Sequence, residues 1–224
     1  VADGLLEVIA LDAVDAEAAQ AGGADRLELV TNMAADGLTP DVATVRSVLA
    51  ATDLPVRVML RDAAGFLPRD LTGLRRSAAR LREEGATEFV LGFLTTRGEV
   101  DEAACRALLA ELDGCRWTFH RALDGAADRR VAWTRAETLG CDTVLTAGGP
   151  SGVSRDWHEL LGFLDAAEPD RERLLIGGGL RATHVAPLRE RGVRRFHVGG
   201  AVRPDWHSPI EVDEVRRWVE LVHR

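Results

Sequence analysis

Eight apolar, strand-like runs, each followed by a helical stretch and most of the units punctuated by glycine, predict a (β/α)8 barrel, read as a single TIM-barrel domain over residues 1–224. A chain of 224 residues with 46% hydrophobic side chains can bury one large core. The turn Gly177-Gly178-Gly179-Leu180-Arg181-Ala182 comes late and lacks the last glycine of a dinucleotide fingerprint, which disfavours a doubly wound open sheet.

In order, Leu5 to Leu11 is a buried-strand run, and the alanine-rich helix Asp12 to Ala21 stops at Gly22-Gly23. Ala24 to Val30 is the second strand. After a loop from Thr31 to Thr39, Pro40 stands at the first turn of a helix through Ala51, where its missing N–H costs nothing. Pro55 to Arg61 is the third strand, and the loop Asp62 to Pro68 leads to a helix from Asp70 to Glu84. Glu88 to Leu94 is the fourth, with its helix from Asp101 to Leu112. Trp117 to Asp124 is the fifth, putting Thr118 and His120 on one face and Trp117, Phe119 and Arg121 on the other; its helix runs from Arg130 to Leu139. Thr143 to Ala147, Arg173 to Ile176 and Arg195 to Val198 complete the strands. Their helices are Trp157 to Ala166, one ended by Gly192, and Val212 to Val222.

Composition prunes function. With 36 acidic against 28 basic residues, net charge −8, the chain is a poor partner for nucleic acid or anionic membranes. Every basic residue is arginine, so neither a Schiff-base lysine nor a P-loop exists. Cys105, Cys115 and Cys141 are odd in number and widely spaced, which indicates neither a disulfide framework nor a zinc cage. With no apolar run of membrane length, and with Val1-Ala2-Asp3-Gly4 leading directly into a strand, a cytoplasmic protein is expected.

In a barrel, function sits at the carboxyl ends of the strands. Alternation lets Glu7 and Glu28 both point inward from adjacent strands about 4.8 Å apart, where they repel unless a cation joins them or one keeps its proton. Arg57, Arg61, His120 and His197 are available. Either Arg57 or Arg61 staples the carboxylates into the interior, or one carboxylate is a general base with a histidine or the other carboxylate as the acid. Gly148, Gly149, Gly178, Gly179, Gly199 and Gly200 follow the last three strands, as anion-binding backbone or as plain tight turns, with Arg181 and Arg203 as added charge. His158, His184, His207 and His223 lack the spacing of a helical metal pair, so no metal ligands are assigned. Trp157, Trp206 and Trp218 are expected in packing.

Several motifs together resemble the CutC family: Glu7 in Leu6-Glu7-Val8, Ala24 to Leu29, Gly37-Leu38-Thr39-Pro40, Thr118-Phe119-His120-Arg121-Ala122 with Asp124, Leu145-Thr146-x-Gly148, and Gly177-Gly178-Gly179-x-Arg181. The resemblance implies a cytoplasmic (β/α)8 barrel, often homo-oligomeric, associated with copper homeostasis and copper(I) binding. This chain carries Ile9 and Val30 where other members carry cysteines, and shortens the family's Arg-Pro-Arg-Gly-Gly-Asp loop to Arg61-Asp62-Ala63-Ala64-Gly65. Copper(I) prefers soft sulfur donors, and only Met59 and Met33 remain nearby, which argues against high-affinity binding. No cofactor is identifiable from the residues themselves. The expectation is a pocket for a small anionic molecule, phosphorylated or carboxylated, with acid/base chemistry at Glu7, Glu28, Arg61, His120 and His197. The alternatives are a copper(I) homeostasis protein without catalysis and a non-catalytic binding barrel.

Overall fold

The computed structural model describes residues 4–167 and 169–224; the reading of Val1-Ala2-Asp3 as a direct lead into the first strand lies outside them. Eight parallel strands close in sequence order: β1 (Leu5–Ala10), β2 (Arg26–Leu29), β3 (Val56–Met59), β4 (Glu88–Leu91), β5 (Arg116–Phe119), β6 (Thr143–Thr146), β7 (Leu174–Gly177) and β8 (Arg195–Val198). Each is followed by a helix: α1 (Ala13–Gly22), α2 (Val42–Ala51), α3 (Leu71–Glu83), α4 (Glu102–Leu109), α5 (Arg129–Thr138), α6 (Trp157–Ala167), α7 (Ala182–Glu190) and α8 (Val212–Val222). The predicted (β/α)8 barrel is therefore the observed fold. None of the described helices is long and apolar enough to cross a membrane.

Aspartate starts the first five helices. Asp12, Asp41, Asp70, Asp101 and Asp128 each accept a first-turn N–H, satisfying donors that a helix leaves free. Pro40 is a correction: Asp41 is the cap and α2 begins at Val42, so the proline precedes the helix. The fifth strand is shorter than expected. It ends at Phe119, and Arg121–Gly125 winds into a 3-10 turn.

Alternation divides the barrel wall. Leu6, Val8, Leu27, Leu29 and Val58 join the large core beneath the helices, while Ile9, Val30, Met59 and Val90 form a separate apolar cluster. Below it the interior is ionic rather than aliphatic. Arg57, with no exposed surface, donates to Glu88 at 2.9 Å, to the Thr118 hydroxyl at 2.5 Å and to Asp142 at 2.9 Å. Arg57 thus braces β3 against β4, β5 and the start of β6, and among the described residues its ion pairs are with Glu88 and Asp142, not with Glu7 or Glu28.

Candidate functional site at the barrel mouth

A cavity of about 510 Å3 opens at the carboxyl ends of the strands. Glu28, Arg61, His120, Arg121 and His197 line it, with Ile9, Val30, Met33 and Met59 supplying apolar wall. This mixture of apolar wall and a few converging polar groups is typical of small-molecule sites.

Ring closure assembles an acidic cluster of which Glu28 and His197 line the cavity and the fully buried Glu7 does not. The β1–β8 register sets Glu7 opposite His197, and the β1–β2 register sets Glu7 opposite Arg26 and Ile9 opposite Glu28. Arg26 Nε donates to Glu7 Oε2 at 2.5 Å, and His197 Nδ1 lies 2.8 Å from Glu7 Oε1. On the other side of the ring, His197 Nε2 stands 3.8 Å from Glu28 Oε2, an ionic distance rather than a hydrogen bond. Basic and acidic side chains therefore alternate along Arg26, Glu7, His197 and Glu28. Burial alone would raise the Glu7 carboxyl, but Arg26 and then His197 outweigh it and hold Glu7 well below the usual carboxylate range. Burial also disfavours the His197 cation, and the carboxylates of Glu28 and Glu7 reverse that, raising His197 above an ordinary imidazole. Glu28 goes the other way. Burial, reinforced by Glu7, overcomes His197, Arg26 and Arg61 and lifts its carboxyl to about 7. Its Oε1 is buried without a hydrogen-bond partner.

Glu7, Glu28 and His197 offer ligand atoms within 4.8 Å of one another. Both Glu7 oxygens are already engaged, one by the Arg26 guanidinium and one by His197.

His120 is set by its own loop. Its Nδ1 accepts the Ala122 N–H at 3.2 Å as the cap of the 3-10 turn, which places the ring proton on Nε2. Burial first, then Arg61 and Arg121, lower its basicity to about 3, so the ring stays neutral. That Nε2 is buried and without a partner.

Arg61 is buried, with Phe66 stacked 5.4 Å from its guanidinium carbon. Its donors go to the carbonyls of Gly65 (3.0 Å), Asp36 (2.8 Å) and Gly37 (3.4 Å), and no carboxylate among the described residues pairs with it. Arg121 was expected on the opposite face from His120. Because the strand stops at Phe119, the turn swings Arg121 into the cavity, where Asp124 holds its Nε at 2.8 Å. Asp124 also accepts from the Thr146 hydroxyl at 2.5 Å and the Ala147 N–H at 3.0 Å, tying the turn to β6.

The glycines divide. Gly178, Gly179, Gly199 and Gly200 line the cavity, whereas Gly148 and Gly149 do not. Gly148 N–H donates to Thr146 at 3.0 Å and its carbonyl accepts from Arg129. Its φ of 86° and the Leu160 backbone beside it leave no room for a side chain, so Gly148 is a packing residue. Others make space for the site itself. A Cβ at Gly92 would lie 2.8 Å from His120 Nδ1, one at Gly177 2.6 Å from the His197 Cβ, and one at Gly178 2.9 Å from Arg121. Arg203, expected as rim charge, is buried and pairs with Asp15 at 2.9 Å, while Arg181 is exposed at the start of α7. Trp206, expected in packing, packs against the Ile9 cluster and also reaches the cavity wall. Arg26 and Phe66 are site residues that the residue-by-residue reading does not single out. Of these, Arg26 carried a signal, being a charged residue at an inward position of an apolar strand.

The CutC family model matches residues 5–202. A protein named as a family protein CutC in Xanthomonas campestris is 35% identical over 210 residues, 91% of this chain and 87% of its own. One of that name in Bacteroides thetaiotaomicron is 33% identical, across 97% of this chain and 94% of its own. A crystal structure from Streptococcus agalactiae, named as a candidate copper homeostasis protein CutC, superposes with a TM-score of 0.77 at 25% identity, covering 88% of this chain and 98% of that one. A candidate phosphonomutase from Burkholderia cenocepacia superposes with a TM-score of 0.62 at 20% identity over 88% of this chain and 87% of its own, a likeness of fold alone.

Proposed function

The chain belongs to the CutC family, and on that premise we propose that its barrel mouth is an acid/base site for a small anionic molecule carrying a phosphate or carboxylate. One observation carries the reading: Glu28, a buried carboxyl raised to about 7 with one oxygen left unpartnered, lines a cavity that also holds a buried guanidinium in no ion pair among the described residues. A base is most effective when its pKa lies near the working pH. Here His197, whose basicity Glu28 and Glu7 raise against the effect of burial, keeps Glu28 from being driven higher still. Arg61, with Arg121 beside it, supplies charge for the anion.

Copper handling, the role in the name of the Streptococcus agalactiae relative, fits these residues poorly. The soft donors at the cavity are the thioethers of Met33 and Met59. Cys105 and Cys141 are buried away from the cavity, and burial pushes both thiols up to about 12, far from the thiolate copper(I) favours. Copper(I) titration under reducing conditions, against a competing chelator, should show no stoichiometric tight uptake.

Calorimetry with inorganic phosphate and with short-chain carboxylates tests the anion reading. Binding is expected in the micromolar to millimolar range, and Arg61→Gln should weaken it about tenfold or more, the loss of a charge-assisted contact. Failure of all these anions to bind at millimolar concentration, or equal binding by Arg61→Gln, would remove the reading.

A further inference from the structure

We propose that the reaction at this mouth is reversible enolisation, with His120 as the neutral hydrogen-bond donor to a substrate carbonyl and Glu28 as the base on the adjacent carbon. The substrate class is then a short 2-oxo or α-hydroxy carbonyl compound bearing a phosphate or carboxylate. This deepens the acid/base reading above and rests on it.

Two unpartnered polar atoms carry the inference. His120 Nε2 and Glu28 Oε1 are both buried, both lack a hydrogen-bond partner, and both residues line the same cavity. One is a donor and the other an acceptor, a pairing that a molecule needing an N–H at its oxygen and a base at its carbon would complete. The donor is fixed as such, because the Ala122 N–H occupies Nδ1 and the nearby guanidiniums of Arg61 and Arg121 oppose a second proton. A neutral imidazole can polarise a carbonyl and stabilise the developing oxyanion without surrendering its proton. Gly92 is what admits the ring, since a methyl there would meet Nδ1 at 2.8 Å. The cavity lining contains no serine, threonine, cysteine or lysine, so the described residues offer none of these nucleophiles for covalent chemistry.

In the step, the C–H bond beside the carbonyl breaks and its proton passes to Glu28 Oε1. The electron pair becomes the C=C bond of the enolate, and the carbonyl π pair moves onto the oxygen facing His120 Nε2–H. Reprotonation by Glu28 closes the cycle, with no net oxidation or reduction.

The test compares a planar enediolate mimic, 2-phosphoglycolohydroxamate, with ethyl phosphate by calorimetry. Wild-type protein should bind the hydroxamate at least about tenfold more tightly, the worth of one extra buried contact. His120→Phe should abolish that preference while phosphate binding persists, and His120→Asn, which still offers an N–H, should recover part of it. Thermal melting of each variant confirms folding. Equal binding of both probes by wild-type protein, with Arg61 dependence intact, overturns enolisation and leaves the anion site standing. A preference that survives in His120→Phe overturns the role of the imidazole. Failure to bind either probe overturns enolisation of a phosphorylated substrate, and the anion reading falls with it when inorganic phosphate and the short-chain carboxylates also fail to bind.

Discussion

Replacing Arg26 with methionine is expected to destabilise the fold by roughly 3–5 kcal/mol, the cost of leaving a buried carboxylate without its cation. Glu7 has no exposed surface, Arg26 is 3% exposed, and their contact at 2.5 Å is the shortest link in the charged chain. Methionine matches the length of the arginine stem, so the aliphatic packing is largely kept and the measured loss is electrostatic. Glu7→Gln in the same background should recover much of the loss, because an amide needs no counter-charge. The double variant should therefore be more stable than the sum of the single effects implies. Urea denaturation of the four proteins at neutral pH measures this. A cost below about 1 kcal/mol for Arg26→Met, within the range of an exposed pair, would mean that Glu7 is sustained by something else.

That partnership shows why the site was only partly legible in the sequence. The barrel was readable because helical and strand periods alternate eight times, and local pattern is enough to set them. Glu7, Glu28, His120 and His197 stood out as charged or polar residues in apolar runs. Their partners depend on register. Arg57 and Arg61 both looked able to reach the glutamates, yet the stagger of the strands sets Glu7 against Arg26 and sends Arg57 down to Glu88 and Asp142. Closure pairs Glu7 with His197 across 190 positions of chain, which no local pattern encodes. Arg121 was misplaced because alternation was carried past the point where β5 ends. The glycines after β6, β7 and β8 read as anion rim or turn, whereas Gly92 and Gly177, at the ends of β4 and β7, clear space for the imidazoles of His120 and His197. A residue whose purpose is to leave room declares it only once its neighbour is known.

Glu28→Gln should show the opposite sign in stability to Arg26→Met, together with a loss of proton-transfer rate of roughly 10²–10⁴-fold. The carboxyl is raised from its ordinary 4.5 to about 7 in the fold, so the native state holds its proton more tightly than the unfolded chain does. Stability then falls as pH rises between those two values, and the full penalty stands above the higher one. An amide cannot ionise and escapes it. The variant should accordingly be more stable than the parent by on the order of 1–3 kcal/mol at about pH 8, and nearly equal to it at about pH 4. The attraction of His197 for the Glu28 carboxylate is already contained in that net rise, so its loss in the variant adds no separate penalty. Arg26, Arg61 and Glu7 are the other charges acting on Glu28, and they are unchanged in the variant. The wild-type rate, once a substrate is in hand, should rise with pH through a midpoint near 7 as the base ionises. Denaturation at the two pH values decides the stability half without any substrate. A gain confined to alkaline pH means that the fold tolerates a costly charge at the cavity wall, as expected where stability is traded for chemistry. Destabilisation at both values would make Glu28 a structural member of the ionic interior, and the acid/base reading would fall with it.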